Sequence, residues 1–157
     1  SNGYSLVRKL VQMSGLGWDA QCPWSDGSLG EVLLTPTRLY VKPALTAVRA
    51  GGVHALAHIT GGGLTENLPR VLPETMGAQI DLDSWDLPGV FKWMAEIGSI
   101  SEAEMLKTFN CGVGMILVVA QDQAEWLQNM LTEAGEVVYP MGKVTHEAGI
   151  TYTGQML

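Results

Sequence analysis

The chain has 157 residues, 46% apolar and 7% aromatic, and its 9 basic against 16 acidic side chains leave a net charge of −7. That length gives one domain, residues 1–157, burying roughly 70% of its unfolded surface, and the acidic balance excludes a general nucleic-acid binder, which would carry a basic face. No apolar run approaches the roughly 18 residues of a membrane span, no secretory leader is read at the start, and Cys22 and Cys111 lack CxxC spacing, so a reduced cytoplasm with neither disulfide nor metal site is expected.

Leu6, Val7, Leu10 and Val11 form an apolar helical stripe, with Ser1 or Asn2 available as its cap and Gly15 as its stop. There is no initiator Met, and the first residues already read as a functional loop, so a piece of a longer chain is expected. Residues 15–27 read as a loop carrying Trp18 and Trp24. Ser28-Leu29-Gly30-Glu31 fits a capping box for a short helix to Leu34. Leu39–Val41 is extended, and Pro43 suits the first turn of a helix ending at Gly51-Gly52.

Val53–Ile59 predicts a central strand, with His54 and His58 on the same face as Leu56. Three glycines follow, Gly61-Gly62-Gly63, opening a helix that Pro69 shortens or kinks. Three bare residues in a row point to a tight left-handed turn or to a ligand close to the backbone. At a strand-to-helix junction the freed N–H groups make an anion site, with His58, Thr60, Asn67 and Arg70 as flanking donors. An ordinary glycine-rich turn without a ligand gives the same pattern.

Gly77–Leu82 alternates like a strand, Pro88–Ile97 predicts a helix, and Ser101-Glu102-Ala103-Glu104 fits a second capping box for a helix to Phe109. Cys111–Ala120 is apolar on both faces and is expected mid-sheet. Gln121–Ala134 is helical. Val137–Tyr139, Gly142–Thr145 and Ile150–Thr153 are terminal strand material, with Glu147-Ala148-Gly149 as a hairpin turn. Alternating elements predict an α/β (α+β) domain with a mixed sheet covered by helices.

No Walker pattern, metal-spaced cluster or activated Ser or Cys nucleophile is present. A second candidate anion site is Ser1-Asn2-Gly3-Tyr4-Ser5, with Arg8 about two turns into the helix; an ordinary cap with a surface arginine reads equally there. The third feature is Phe109-Asn110-Cys111-Gly112-Val113-Gly114-Met115, whose glycines allow close approach of a ligand or another backbone.

These three stretches, Ser1 to Arg8, His54 to Pro73 and Thr108 to Met115, together with Leu34 to Val41, closely resemble phosphoribosylformylglycinamidine cyclo-ligases (AIR synthetases). The resemblance covers nearly the whole chain, but only as the C-terminal half of such an enzyme. It implies a three-layer α/β/α fold of partly ferredoxin-like topology and a role in purine biosynthesis. ATP and Mg²⁺ would activate the formyl oxygen of formylglycinamidine ribonucleotide, and ring closure would then displace phosphate. It further implies a cytoplasmic homodimer in which the missing N-terminal half supplies the ATP and metal contacts, so the chain alone is expected to be inactive and to bind neither cofactor tightly. Carried over residue by residue, Ser1, Asn2, Gly3 and Arg8 would lie on the cleft loop. Thr60, Gly61, Gly62 and Gly63 would hold a phosphate or ribose, supported by His58, Asn67 and Arg70, with Asn110 a weaker candidate. No general base is identified. The alternative is a non-catalytic folded fragment that self-associates and binds nothing strongly.

Overall fold

A computed structural model describes residues 2–157. Helix α1 (Tyr4–Ser14) buries Val7, Leu10 and Val11, as its stripe requires. Its cap differs from expectation: Gly3 occupies the N-cap in the left-handed region (φ 74) with no side-chain cap. Asn2 is spent elsewhere, its amide donating to the Thr108 carbonyl at 2.9 Å, and Ser1 lies outside the described residues. Gly15 ends the helix as expected. Helix α2 (Leu29–Leu33) opens with the full Ser28–Glu31 capping box, whose Ser28 hydrogen bonds hold the Glu31 carboxyl below its ordinary pKa. Helix α3 (Val41–Ala50) ends at Gly51.

Strand β1 (Val53–His58) pairs antiparallel with β3 (Met115–Val119). Between them in sequence come α4 (Gly63–Asn67), β2 (Gly77–Asp81), α5 (Gly89–Gly98) and α6 (Glu102–Thr108). Helix α4 is short because Pro69 has no N–H to continue it, and a 3₁₀ turn over Pro69–Val71 follows. After β3 come α7 (Ala124–Glu133), β4 (Gly142–Thr145) and β5 (Gly149–Thr153).

The β1–β3 ladder sits between two helical layers. Val53, Leu117 and Val119 pack with Ala47 of α3 and Leu127 and Leu131 of α7. Ala57, Ile116 and Val118 face the main core, built from α1, α4, α5 and α6. That alternation explains why the second strand is apolar on both faces. The strand is shorter than its sequence predicts, because Cys111 (φ 50) and Gly112 (φ 93) turn the chain before Met115. Val137–Tyr139 forms no strand.

The remaining strands make a mixed three-stranded sheet in which β2 lies between β4, antiparallel to it, and β5, parallel to it. The 147–149 segment is therefore not a hairpin turn. It carries the chain over the end of β2, where a Cβ on Gly77 would collide with the backbone carbonyls of Glu147 and Gly149. Ala78 and Ile80 of β2 are buried while most of β4 is exposed, so burial places β2 at the centre. Among the described residues no helix is long and apolar enough to cross a membrane.

Candidate functional site

The glycine segment is built around Asn67, a buried polar residue at 6% exposure. Its amide nitrogen donates to the carbonyls of Gly63 (2.8 Å), Gly61 (3.1 Å) and Thr60 (3.4 Å). The amide oxygen accepts from Arg70 Nη1 at 3.3 Å. The Gly63 N–H closes a turn onto the Thr60 carbonyl at 3.0 Å, and the Glu66 N–H bonds the Gly62 carbonyl at 3.1 Å.

The three glycines have different surroundings. A Cβ on Gly63 (φ 58) would strike backbone atoms of Leu106 and Phe109, so this residue lets α4 press against the end of α6. Gly62 (φ 96) needs its left-handed backbone and meets only the Glu66 side chain. Gly61 is exposed, and its nearest neighbour would be the Asn2 amide nitrogen at 3.9 Å. Asn2 in turn bonds Thr108, and Gly3 packs on Phe109, whose ring would lie 2.6 Å from a Cβ there. Asn2, Gly3, Gly61, Gly63 and the Thr108–Phe109 turn thus meet at one corner.

Other predicted residues sit around that corner or apart from it. His58 is exposed at the end of β1 opposite Met115, and the Tyr40 ring meets it edge-on with centroids 6.1 Å apart. Asn110 accepts the Gly112 N–H at 3.0 Å, so its side chain shapes the turn before β3. Arg70 is exposed and tied to Asn67. Arg8 is exposed on α1, and no hydrogen bond joins it to the glycine segment among the described residues. Ser1 lies outside the described residues.

Sequence reasoning gave no role to the rings of Tyr40 and Phe109. Tyr40 fills the space that a side chain at Gly114 would take, and burial, followed by the Glu136 carboxylate, raises its hydroxyl pKa. Arg38 braces the same segment through Glu136 (2.7 Å) and the Gly135 carbonyl (2.9 Å). The available signal was glycine placement: Gly3 and Gly114 each leave room for one aromatic ring. Behind α4, the Thr65 hydroxyl shares a 2.9 Å hydrogen bond with Tyr152, whose burial raises its own pKa.

A hollow of about 980 Å³ lies apart from this corner. Residues 112–119 and 135–144 line it, Lys143 among them, together with Arg38, and from the stretch 58–70 only Leu68 does. The glycine corner is instead where the glycine-bearing stretches meet. The described residues contain no group of three or more His, Cys, Asp or Glu that could hold a metal ion.

Residues 1–155 match the family model of the AIR synthase related protein, C-terminal domain. Among solved structures, thiamine-monophosphate kinase from Stenotrophomonas maltophilia K279a aligns with TM-score 0.65 at 17% identity, covering 98% of this chain and 47% of that one. E. coli HypE aligns in two structures, with TM-scores of 0.58 and 0.60 at 20% and 21% identity; each covers 80% of this chain, and 41% and 40% of HypE. At such identities the likeness establishes the fold, and this chain spans less than half the length of the proteins it matches. The match over 1–155 establishes more: this chain belongs to the AIR synthase related protein family, as its C-terminal domain.

Proposed function

We propose that this chain is the substrate-binding half of a phosphoribosylformylglycinamidine cyclo-ligase, which closes the imidazole ring of aminoimidazole ribonucleotide. The observation that carries this reading is the meeting of the resembling stretches at one corner: Asn2 on the Thr108 carbonyl, Gly3 on Phe109, and Gly61 facing Asn2. In the proposed reaction ATP phosphorylates the formyl oxygen, a substrate nitrogen attacks that carbon, and phosphate leaves. The chain's part is binding and orientation, which supply much of the catalysis in phosphoryl transfer. Thr60, Gly61 and Gly62 hold the substrate phosphate, while Asn2 and His58 line the approach and Arg8 stands farther out on α1. ATP and Mg²⁺ would come with an N-terminal half, in a cytoplasmic homodimer.

Calorimetric titration with formylglycinamidine ribonucleotide tests this, with ATP and inorganic phosphate as comparisons. Binding of the ribonucleotide but not ATP supports a substrate wall preformed in this half. No heat with the ribonucleotide refutes it. A second reading, a self-associating domain without a ligand, is favoured by the exposed apolar side chains Leu34 (76%), Leu39 (85%) and Val41 (66%) around the start of α3. Sedimentation equilibrium separates the two: a dimer without ribonucleotide binding supports the second.

A further inference from the structure

Strand β3 has two edges and one partner. The Ile59 N–H donates to the Gly114 carbonyl at 2.9 Å, and the Ala120 N–H donates to the Gly52 carbonyl at 2.8 Å. In an antiparallel ladder the backbone groups of successive residues point to alternate sides. Ile116 and Val118, in step with Gly114 and Ala120, therefore turn their N–H and C=O groups toward β1. Met115, Leu117 and Val119 turn theirs the other way. Among the described residues no strand pairs with β3 on that side, and no backbone hydrogen bond from another segment reaches it. The hollow of about 980 Å³ lies against this open edge: residues 112–119 and 135–144 line it, and residues 53–58 of β1 do not.

The segment Val137–Tyr139 has the properties of the absent neighbour. Valine and tyrosine suit a pleated, half-buried position. The side chains alternate as in a strand: Val138 packs against Ala47, Leu127 and Leu131, while Val137 and Tyr139 are exposed at 77% and 39%. None of the three uses its N–H or carbonyl in a backbone hydrogen bond among the described residues. The connection also fits. A strand, a helix on its face and a returning extended segment make a βαβ unit, whose second strand runs parallel to the first. Here β3, α7 and residues 137–139 follow in that order.

Both ends of the segment are anchored. Arg38 holds the Glu136 carboxylate at 2.7 Å and the Gly135 carbonyl at 2.9 Å, and the Met141 carbonyl accepts the Asp81 N–H at 2.8 Å. Residues 137–140 lie between the anchors. At strand and sheet spacings of about 3.3, 4.8 and 10 Å, each residue takes up about 160 Å³. The four need about 640 Å³, so the hollow has room for them.

We propose that residues 137–140 are a strap that closes onto the open edge of β3 as a parallel strand. Closure joins the two-stranded and three-stranded sheets into one, with the strap and β4 as the shared strand between β3 and β2. The structure holds the strap open, and the hollow is the unzipped seam. Closure gives the backbones of Leu117 and Val119 partners. Pro140, which has no N–H to donate, ends the new ladder before the chain enters β4.

The test is amide hydrogen exchange of the ¹⁵N-labelled chain, read by NMR. With the strap closed for most of the time, the Leu117 and Val119 amides are expected to exchange roughly tenfold or more slowly than in an unstructured chain. Val137→Gly should reduce that protection about fivefold, the span of strand preference. Ile116 and Val118, bonded to β1, should keep theirs. Val137 is exposed, so the substitution removes little packing. Leu117 and Val119 exchanging at unstructured rates overturns the proposal. So does protection that Val137→Gly leaves unchanged, since it would then come from burial and not from the strap.

Discussion

Replacing Gly63 by alanine tests whether this glycine serves packing rather than ligand approach. Its φ of 58° lies in the left-handed region, where a Cβ costs about 1–2 kcal/mol. The new Cβ would also stand 2.7 Å from the Leu106 carbonyl carbon and 2.7 Å from the Phe109 carbonyl oxygen, with the Leu106 oxygen nearer still. These are backbone atoms at the end of α6, so relief requires α4 and α6 to separate, an overpacking cost of about 1–3 kcal/mol. The sum, about 2–5 kcal/mol, is a large part of the roughly 5–15 kcal/mol that holds a domain folded. Gly61→Ala is the control, two residues away in the same motif. Its φ is not left-handed and its nearest neighbour is 3.9 Å off, so it should change stability by about 0.5 kcal/mol or less. Urea unfolding followed by circular dichroism, with the m-value unchanged, reads both. Equal midpoints for Gly63→Ala and Gly61→Ala would refute the division of labour drawn between these glycines.

Gly114→Ala should drive the Tyr40 ring off β3, since a Cβ there would lie 2.9 Å from its Cε2; the Tyr40 hydroxyl, now raised by burial, should then titrate lower, and an unchanged ultraviolet alkaline titration would count against that packing. Burial and the Glu102 charge push the Cys111 thiol up to about 12 from 9.0, so its stabilisation is complete below pH 9 and lost as pH rises toward 12. Stability measured from pH 8 to 11 should therefore fall more steeply for the native chain than for Cys111→Ala, and parallel curves would refute this. Tyr152→Phe should lower stability by about 0.5–1.5 kcal/mol, because the Thr65 hydroxyl keeps only a 3.4 Å contact to the Leu106 carbonyl; no loss in urea unfolding would remove that link.

What the sequence shows and what it hides follow from the range of the forces involved. Helices α2 and α6 are legible because Ser28 and Ser101 cap within four residues, and α4 because Pro69 stops it locally. The strand at Met115–Val119 is legible because helices cover both of its faces, but the mid-sheet position expected for it is not met: among the described residues it pairs with β1 in a two-stranded ladder. The order of β4, β2 and β5 is not legible: it depends on burying Ala78 and Ile80, 62 to 72 residues from their partners, and the 147–149 turn signal is the same for a hairpin as for a crossover. The α1 cap was misread because Asn2 answers to Thr108, 106 residues away. The glycine motif was legible as a site for ligand or turn, but not which glycine does which.

The surroundings of each glycine separate those roles. Gly3 admits the Phe109 ring, Gly63 admits the end of α6, Gly112 admits Pro88 and Gly114 admits Tyr40. Each brings protein against protein, and a side chain at any of them would push apart the elements that frame the corner. Gly61 alone in the triplet faces open space beside a donor. A ligand meeting this chain would therefore touch little glycine directly. Most of the bare backbone in these stretches is spent on packing, which leaves one short open segment whose Thr60 and Gly61 carbonyls are held from behind by Asn67. That segment owes its frame to the glycines packed against protein, which is why the packing glycine Gly63 and the open glycine Gly61 should respond so differently to one methyl group.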